Sequence, residues 1–340
     1  MAVTTFENLA SSDITTTRTL LHESIPLTGT IISGTYSDNN IKNYTHGQFQ
    51  SVYDYPYLSS SANHIFDISI GYDEGSTLSA SSATQNAKKI NMYNQFSQVL
   101  LGYTGSTNEV RKFELDLTLD GVGAMNESLF LNFSRLITKD QIKKGTVSVT
   151  LGTGSYGNPF LKRKVLTDAS ASATGGTLNT LGGDYGLLYS TDNVARGLVF
   201  YESGVVVLST SSFDGVTDFF SASAGTSSIS QTFVSSSITA SCDSLRRRVQ
   251  NISFNNSTEI NSTIYFCRVP HNDYNHSGNP TYLSASTIRV KSVNTDSPIS
   301  YITTVGLYSS DNELLAVAKL SEPLRKDPTN ELTLRVRLDY

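Results

Sequence analysis

Tryptophan is absent from this chain, cysteine occurs twice and histidine five times. Charge is scarce as well: Asp, Glu, Lys and Arg make up 16% of the residues, against roughly 25% in an ordinary soluble domain. Each shortage excludes something. Two cysteines, Cys242 and Cys267, cannot build a disulfide framework. In a chain made in a cytoplasm the expectation is two free thiols in or near the core. A net charge of −5 argues against nucleic acid as the main partner, because phosphate binding needs a basic surface. The longest apolar runs, such as LLYS at 187–190 and VVVL at 205–208, are far too short to span a membrane. The opening MAVTTFENLASSD has neither a basic n-region nor an apolar h-region, so no secretory signal is expected.

What is present points to β structure. Eighteen tyrosines and fifteen phenylalanines supply large apolar side chains, which argues against disorder. Threonine and tyrosine suit strands, and the abundant Ser, Asn and Gly suit the turns between them. A chain of 340 residues can bury a sizeable core, in one large β domain or two smaller ones. The expected fold class is mainly β, a sandwich or barrel-like body, with two or three short helices in the N-terminal half.

Residues 1–60 read as an extended N-terminal arm with one short strand at 30–33. In the aromatic stretch YTHGQFQSVYDYPY at 44–57, either the rings dock on the core of a long loop, or the segment lies across a neighbouring subunit. Residues 61–145 read as a mixed α/β part. HIFDISI at 64–70 is a strand, and 86–101 a helix with Ile90, Tyr93, Phe96 and Leu100 on one stripe. KFELDLTL at 112–119 alternates as a strand. NESLFLNFSRLI at 126–137 places Phe130, Phe133 and Ile137 at helical spacing, with a strand across LFLNF as the alternative. A capping-box pattern at Thr138–Gln141 predicts a further helical turn ending near Gly145. Residues 146–340 read as a β-rich domain closed by the C-terminal hairpin and strand, with 61–340 as a single domain the alternative. Residues 209–237, crowded with Ser, Thr and Gly, read as a long surface loop or weak edge strands. A turn is expected at Asn255-Asn256-Ser257, and a strong strand at 260–269. The end of the chain reads as a hairpin around Ser309–Asn312, then a strand in which Leu332, Leu334, Val336, Leu338 and Tyr340 face inward.

No catalytic, cofactor-binding or metal-ligating residue is assigned. Gly152-Thr153-Gly154-Ser155-Tyr156-Gly157 matches a G-x-G-x-x-G pattern, but Asn158-Pro159 follows where a dinucleotide site needs a helix to open. The loop is therefore expected to be a β-turn. His271, Asp273 and His276 lie close enough in sequence for a divalent metal, yet a polar loop without metal fits them better. No G-x-S-x-G marks a nucleophile. The basic clusters Lys162-Arg163-Lys164 and Arg246-Arg247-Arg248 are expected to form ordinary surface ion pairs.

Four segments, RTLLHESIPLTGTIISGTY at 18–36, QSVYDYPYLSSSANHIFDISIG at 50–71, STEINSTIYFCRVPHNDYNHSGNPTY at 257–282 and YITTVGLYSSDNELLAVAKLSEPLRKDPTNELTLRVRLDY at 301–340, together resemble a family of uncharacterised virion structural proteins of marine and cyanobacterial tailed phages. VGLYSSDNELLAVAKL also resembles a hairpin in attachment domains of phage tail fibres and baseplate parts. The resemblance covers most of the chain, is weakest at 168–241 and carries no active site. It implies a non-enzymatic structural subunit of the virion, made in the host bacterial cytoplasm and placed in the tail, neck or baseplate. Its implied partners are other virion proteins and copies of itself in a symmetric homo-oligomer; no membrane or cofactor is expected, and nucleic acid is not expected as the main partner. A head or decoration protein, or a surface adhesin that binds carbohydrate, is the alternative.

Overall fold

The structure, a computed structural model, describes residues 6–27, 38–105, 107–155, 160–216, 218–219, 227–277, 282–284, 287–288, 293 and 295–340. The strand expected at 30–33 and residues 156–159 of the glycine-rich loop lie outside them.

The first half contributes strands β1 (Ile14–Leu27), β2 (Ile41–Asn43), β3 (Gln50–Tyr53), β4 (His64–Tyr72), β5 (Phe113–Glu114), β6 (Ala124–Met125), β7 (Glu127–Phe133), β8 (Gln141–Ile142), β9 (Ser148–Gly152) and β10 (Arg163–Thr167). Helix α1 (Asn86–Leu100) precedes β5, and α2 (Arg135–Thr138) follows β7. The second half adds β11 (Thr177–Thr180), β12 (Gly183–Ser190), β13 (Ala195–Phe200) and β14 (Val205–Ser209). Helices α3 (Ile229–Ser235) and α4 (Ile238–Arg248) come next, then β15 (Val249–Val269), β16 (Leu283–Ser284), β17 (Thr287–Ile288), β18 (Ser300–Tyr308), β19 (Leu314–Lys326) and β20 (Leu332–Asp339). The protein is mainly β, as its composition leads one to expect. It divides into two compact units, Leu20–Thr258 and Met1–Thr19 with Glu259–Tyr340.

In the larger unit an antiparallel sheet runs in the order β15–β9–β10–β12–β13–β14–β7–β4–β3–β2. Its central strands are buried on both faces, because alternate residues enter two different cores. Leu129, Leu131 and Phe133 of β7 join one core with Val199, Val206 and Leu208. Phe130 joins the other with Leu198, Phe200 and Val207. The sheet curls as a barrel wall does: Phe133 of β7 reaches Phe254 of β15, six strands away in the order, with ring centroids 5.2 Å apart. Phe233, Ile238, Cys242 and Leu245 from α3 and α4 complete the first core. On the outer face α1 lies so close to β4 that a Cβ on Gly71 would stand 2.7 Å from the backbone of Lys89 and Tyr93.

Several sequence expectations are corrected here. Residues 126–137 are a strand followed by one helical turn, not a helix. A strand covered on both faces loses its polar alternation, and the residual 130/133/137 spacing imitates a helical stripe. The helical turn expected at 138–145 is taken instead by α2 and β8. The strand expected at 112–119 stops at Glu114. Within 209–237 the chain forms α3, where Ser228 Oγ accepts from Gln231 N (3.2 Å) and Gln231 Oε1 accepts from Ser228 N (2.9 Å), a capping box. Helix α4 is capped by Ser237, whose Oγ accepts from Ala240 N at 3.2 Å. The turn expected at 255–257 is absent because β15 runs straight through it. Asn256 acts there as a cross-link, donating to Ile137 O (2.9 Å) and accepting from Glu23 N (3.1 Å).

In the smaller unit β20 pairs antiparallel with β15 from Ser262↔Asp339 to Val269↔Leu332. β18 and β19 form a separate two-stranded hairpin. Its loop is the expected one: Ser309 N donates to Glu313 O (2.9 Å), and Asn312 takes the left-handed conformation at φ 63°. The terminal strand is less buried than its alternation implies. Val336 is buried, but Leu332, Leu334 and Leu338 are half-buried and Tyr340 is 74% exposed.

Candidate functional site

β9 and β10 pair antiparallel, and among the described residues of the glycine-rich segment between them Gly152 and Gly154 turn their carbonyls to an arginine. Arg248, fully buried at the end of α4, donates to Gly152 O (2.9 Å), Gly154 O (3.0 Å), Asp218 O (2.8 Å) and Asp218 Oδ1 (3.3 Å). Its guanidinium lies 5.1 and 5.5 Å from the ring centres of Phe160 and Phe219. Arg246 is buried beside Asp243 at 2.9 Å. The surface ion pairs expected at 246–248 are thus corrected for Arg246 and Arg248, which turn inward while Arg247 stays exposed, and a planar fork with five donors suits a ring of carbonyls. Lys164, the inner member of the other basic cluster, reaches Ser212 O at 3.0 Å.

The histidine loop, in the smaller unit, gathers oxygens around an ammonium. Lys326, buried, donates to Asn275 Oδ1 (2.7 Å), Asp327 O (2.9 Å) and His271 O (3.2 Å). His276 turns instead to the ring of Tyr282, edge-on with centroids 6.0 Å apart. Serine, histidine and aspartate do meet on β3 and β4, but in the wrong order for nucleophilic catalysis. Asp67 Oδ1 accepts from both Ser51 Oγ (2.5 Å) and His64 Nε2 (2.8 Å). The carboxylate sits in the middle, where a triad requires the imidazole.

Two places have a chemistry of their own. Between β5 and β6, Glu114, Asp116 and Asp120 bring carboxylate oxygens to within 4.8 Å of one another. The hairpin is tied down by two tyrosines. Tyr93 OH donates to Met125 O (2.8 Å) and accepts from Phe113 N (3.1 Å), while Tyr185 OH donates to Asp116 O (3.1 Å). Burial drives both phenols well above their ordinary range. Burial likewise pushes the Glu114 carboxyl up against the opposing pull of Gly121 N–H, and the charge of Asp116 adds to the rise. The acidic set escaped the sequence reading because ELDLTL was taken as a strand. The signal in it was Asp116 and Asp120 ahead of the glycines at 121 and 123.

The second place is the surface of the smaller unit. Both hydrophobic cores lie wholly within the larger unit. Among the described residues of the smaller one, only Val269, Leu307 and Val336 are buried apolar side chains. Tyr301, Tyr308, Leu314, Leu315 and Val317 of the β18–β19 hairpin stand exposed instead. Register places Gly306, Tyr308, Val317 and Leu314 together, with the Tyr308 ring over Gly306 and the ring of Phe6 4.9 Å from it. In the larger unit, a groove of about 380 Å³ lies beside α1, where Phe49, Met92, Phe96 and Val99 meet Asp67, Gln95 and Asn132.

No helix among the described residues is long and apolar enough to cross a membrane. Compared with protein-family models, with curated proteins and with solved structures, the chain finds no match.

Proposed function

We propose that the chain is a structural subunit of a tailed-phage virion, in its tail, neck or baseplate, and that it works by assembly. The observation that carries this reading is the smaller unit. About 100 residues with three buried apolar side chains among those described do not make a self-sufficient core. A two-stranded hairpin is marginal in water by itself, yet β18–β19 presents tyrosine, leucine and valine to solvent. Covering those side chains against other subunits gains roughly 1.5–3 kcal/mol for each that becomes fully buried. Tyrosine is also a favoured anchor in protein interfaces. The larger unit supplies the rigid body, since its central strands are packed on both faces. The family resemblance of the four quoted segments adds the particle: neighbours are other virion proteins and copies of the same chain.

Quantitative mass spectrometry of purified particles tests the proposal. The expected result is the chain at a fixed stoichiometry, about six or twelve copies per particle for a neck or baseplate ring of closed symmetry. Hundreds of copies would move the placement to the head or tail tube. Absence from purified particles would overturn the virion reading altogether.

A further inference from the structure

We propose that residues 114–123 form a binding site for a calcium-class divalent cation, held by the carboxylates of Glu114, Asp116 and Asp120. The spacing is the first support. Calcium–oxygen bonds of about 2.4 Å place opposed ligand oxygens about 4.8 Å apart, and the three carboxylates all fall within 4.8 Å of one another.

The second support is independent of the clustering. Glu114 is 5% exposed. Its Oε1 accepts from Gly121 N at 3.1 Å, while its Oε2 is buried without a hydrogen-bond partner. A buried carboxylate oxygen without a donor is costly, and no lysine or arginine among the described residues pairs with any of the three acids. A cation at this point would satisfy the orphaned oxygen and offset the mutual repulsion of three like charges.

The rest of the loop is already committed to holding the acids in place. Asp116 Oδ1 accepts from Thr118 N (2.9 Å) and Thr118 Oγ1 (2.8 Å), and Asp120 Oδ1 accepts from Val122 N (2.9 Å). Each aspartate therefore spends one oxygen on the loop and keeps Oδ2 for a ligand. Gly123, at φ 75°, lets the backbone pass Asp116 Oδ2, which a Cβ there would meet at 3.4 Å. Tyr93 and Tyr185 fix the hairpin from below, so little ordering remains to be done on binding. An all-oxygen donor set selects calcium, magnesium or manganese over zinc or copper. Calcium is favoured because magnesium demands a tighter octahedron at about 2.0–2.1 Å.

Purified full-length protein, stripped with EDTA, is titrated with calcium chloride by calorimetry and melted with and without the metal. Magnesium chloride runs alongside. The expected result is one saturable calcium site, a calcium-dependent rise in melting temperature and weaker binding of magnesium. Asp120→Asn, a conservative change at an exposed position, should weaken calcium binding by roughly tenfold or more without lowering the metal-free melting temperature. Glu114→Gln should weaken it too, and if that variant fails to fold, Asp120→Asn decides. Absence of calcium binding, or binding unchanged in Asp120→Asn, would overturn the proposal.

Discussion

Lys89 leaves α1 with its whole side chain out of solvent, and its ammonium meets the carbonyls of Phe233 (2.5 Å) and Ser236 (2.7 Å) at the end of α3. Burial lowers its pKa from the usual 10.5 to about 8, because the charged form loses hydration that two carbonyls restore only in part. The folded state thus holds fewer protons than the unfolded chain between about pH 8 and 10.5. Stability must then rise with pH across that window, and the lysine's cost is present in full below it. At about 1.36 kcal/mol per pKa unit the gain across the window is on the order of 3 kcal/mol. Urea unfolding of the wild type and of Lys89→Met at pH 7 and pH 10 checks this. The difference between them should shift toward the wild type at the higher pH, and a pH-independent difference would contradict it. Asp168 is a similar case of opposite sign of charge. Burial pushes its carboxyl up, while Gly145 N–H (2.8 Å), Val147 N–H (2.8 Å) and Tyr201 O–H (2.9 Å) hold it in place. These buried groups, with Arg248, are internal fasteners that tie loop or helix-end backbone into the larger unit: Lys89 joins the end of α3 to α1, and Asp168 and Arg248 hold loop backbone.

Elements were legible where one face is wet, and illegible where none is. Helix α1 was read correctly because its stripe is bounded by polar residues, and the β18–β19 hairpin because Ser309–Asn312 is turn chemistry between apolar runs. Strand β7 misled because both its faces are covered, so its period of two vanished into LFLNF. Helices α3 and α4 were hidden by composition. Their caps, Ser228 with Gln231 and Ser237, were in the sequence but lay among so many serines that the whole stretch resembled a loop. In the acidic hairpin the alternation of Leu115, Leu117 and Leu119 suggested a strand. Instead the side chains of Asp116 and Asp120 capture the backbone N–H groups that a ladder would have used. The docking of α1 on β4 gives a prediction at this scale. Gly71→Ala puts a methyl group 2.7 Å from Lys89 O and Tyr93 N, both backbone atoms that yield only if the helix moves. Overpacking of this kind costs about 1–3 kcal/mol, and the midpoint of urea unfolding should fall accordingly. An unchanged midpoint would mean that the helix is not seated as described.

Across the whole molecule the apolar surface is distributed unevenly. The larger unit packs two aromatic-rich cores, down to the 4.1 Å stacking of Phe96 on Phe130, and leaves Tyr55, Tyr57 and Tyr103 at its surface. The smaller unit leaves Leu315 67% and Val317 51% exposed on a hairpin of its own. Even β20, which alternates without a fault, half-buries most of its apolar face. Nothing in an alternating pattern says how thick the cover over that face is, and for this reason the sequence reading overstated its burial. The proposed role in assembly turns on this surface. Sedimentation velocity of the purified full-length chain tests it most directly, alongside a Leu315→Glu, Val317→Glu double variant whose positions are exposed enough to spare the fold. The account predicts concentration-dependent association of the wild type, and a double variant that stays monomeric with an unchanged melting temperature. A wild type that remains a monomer up to its solubility limit, or a double variant that associates equally well, would contradict it.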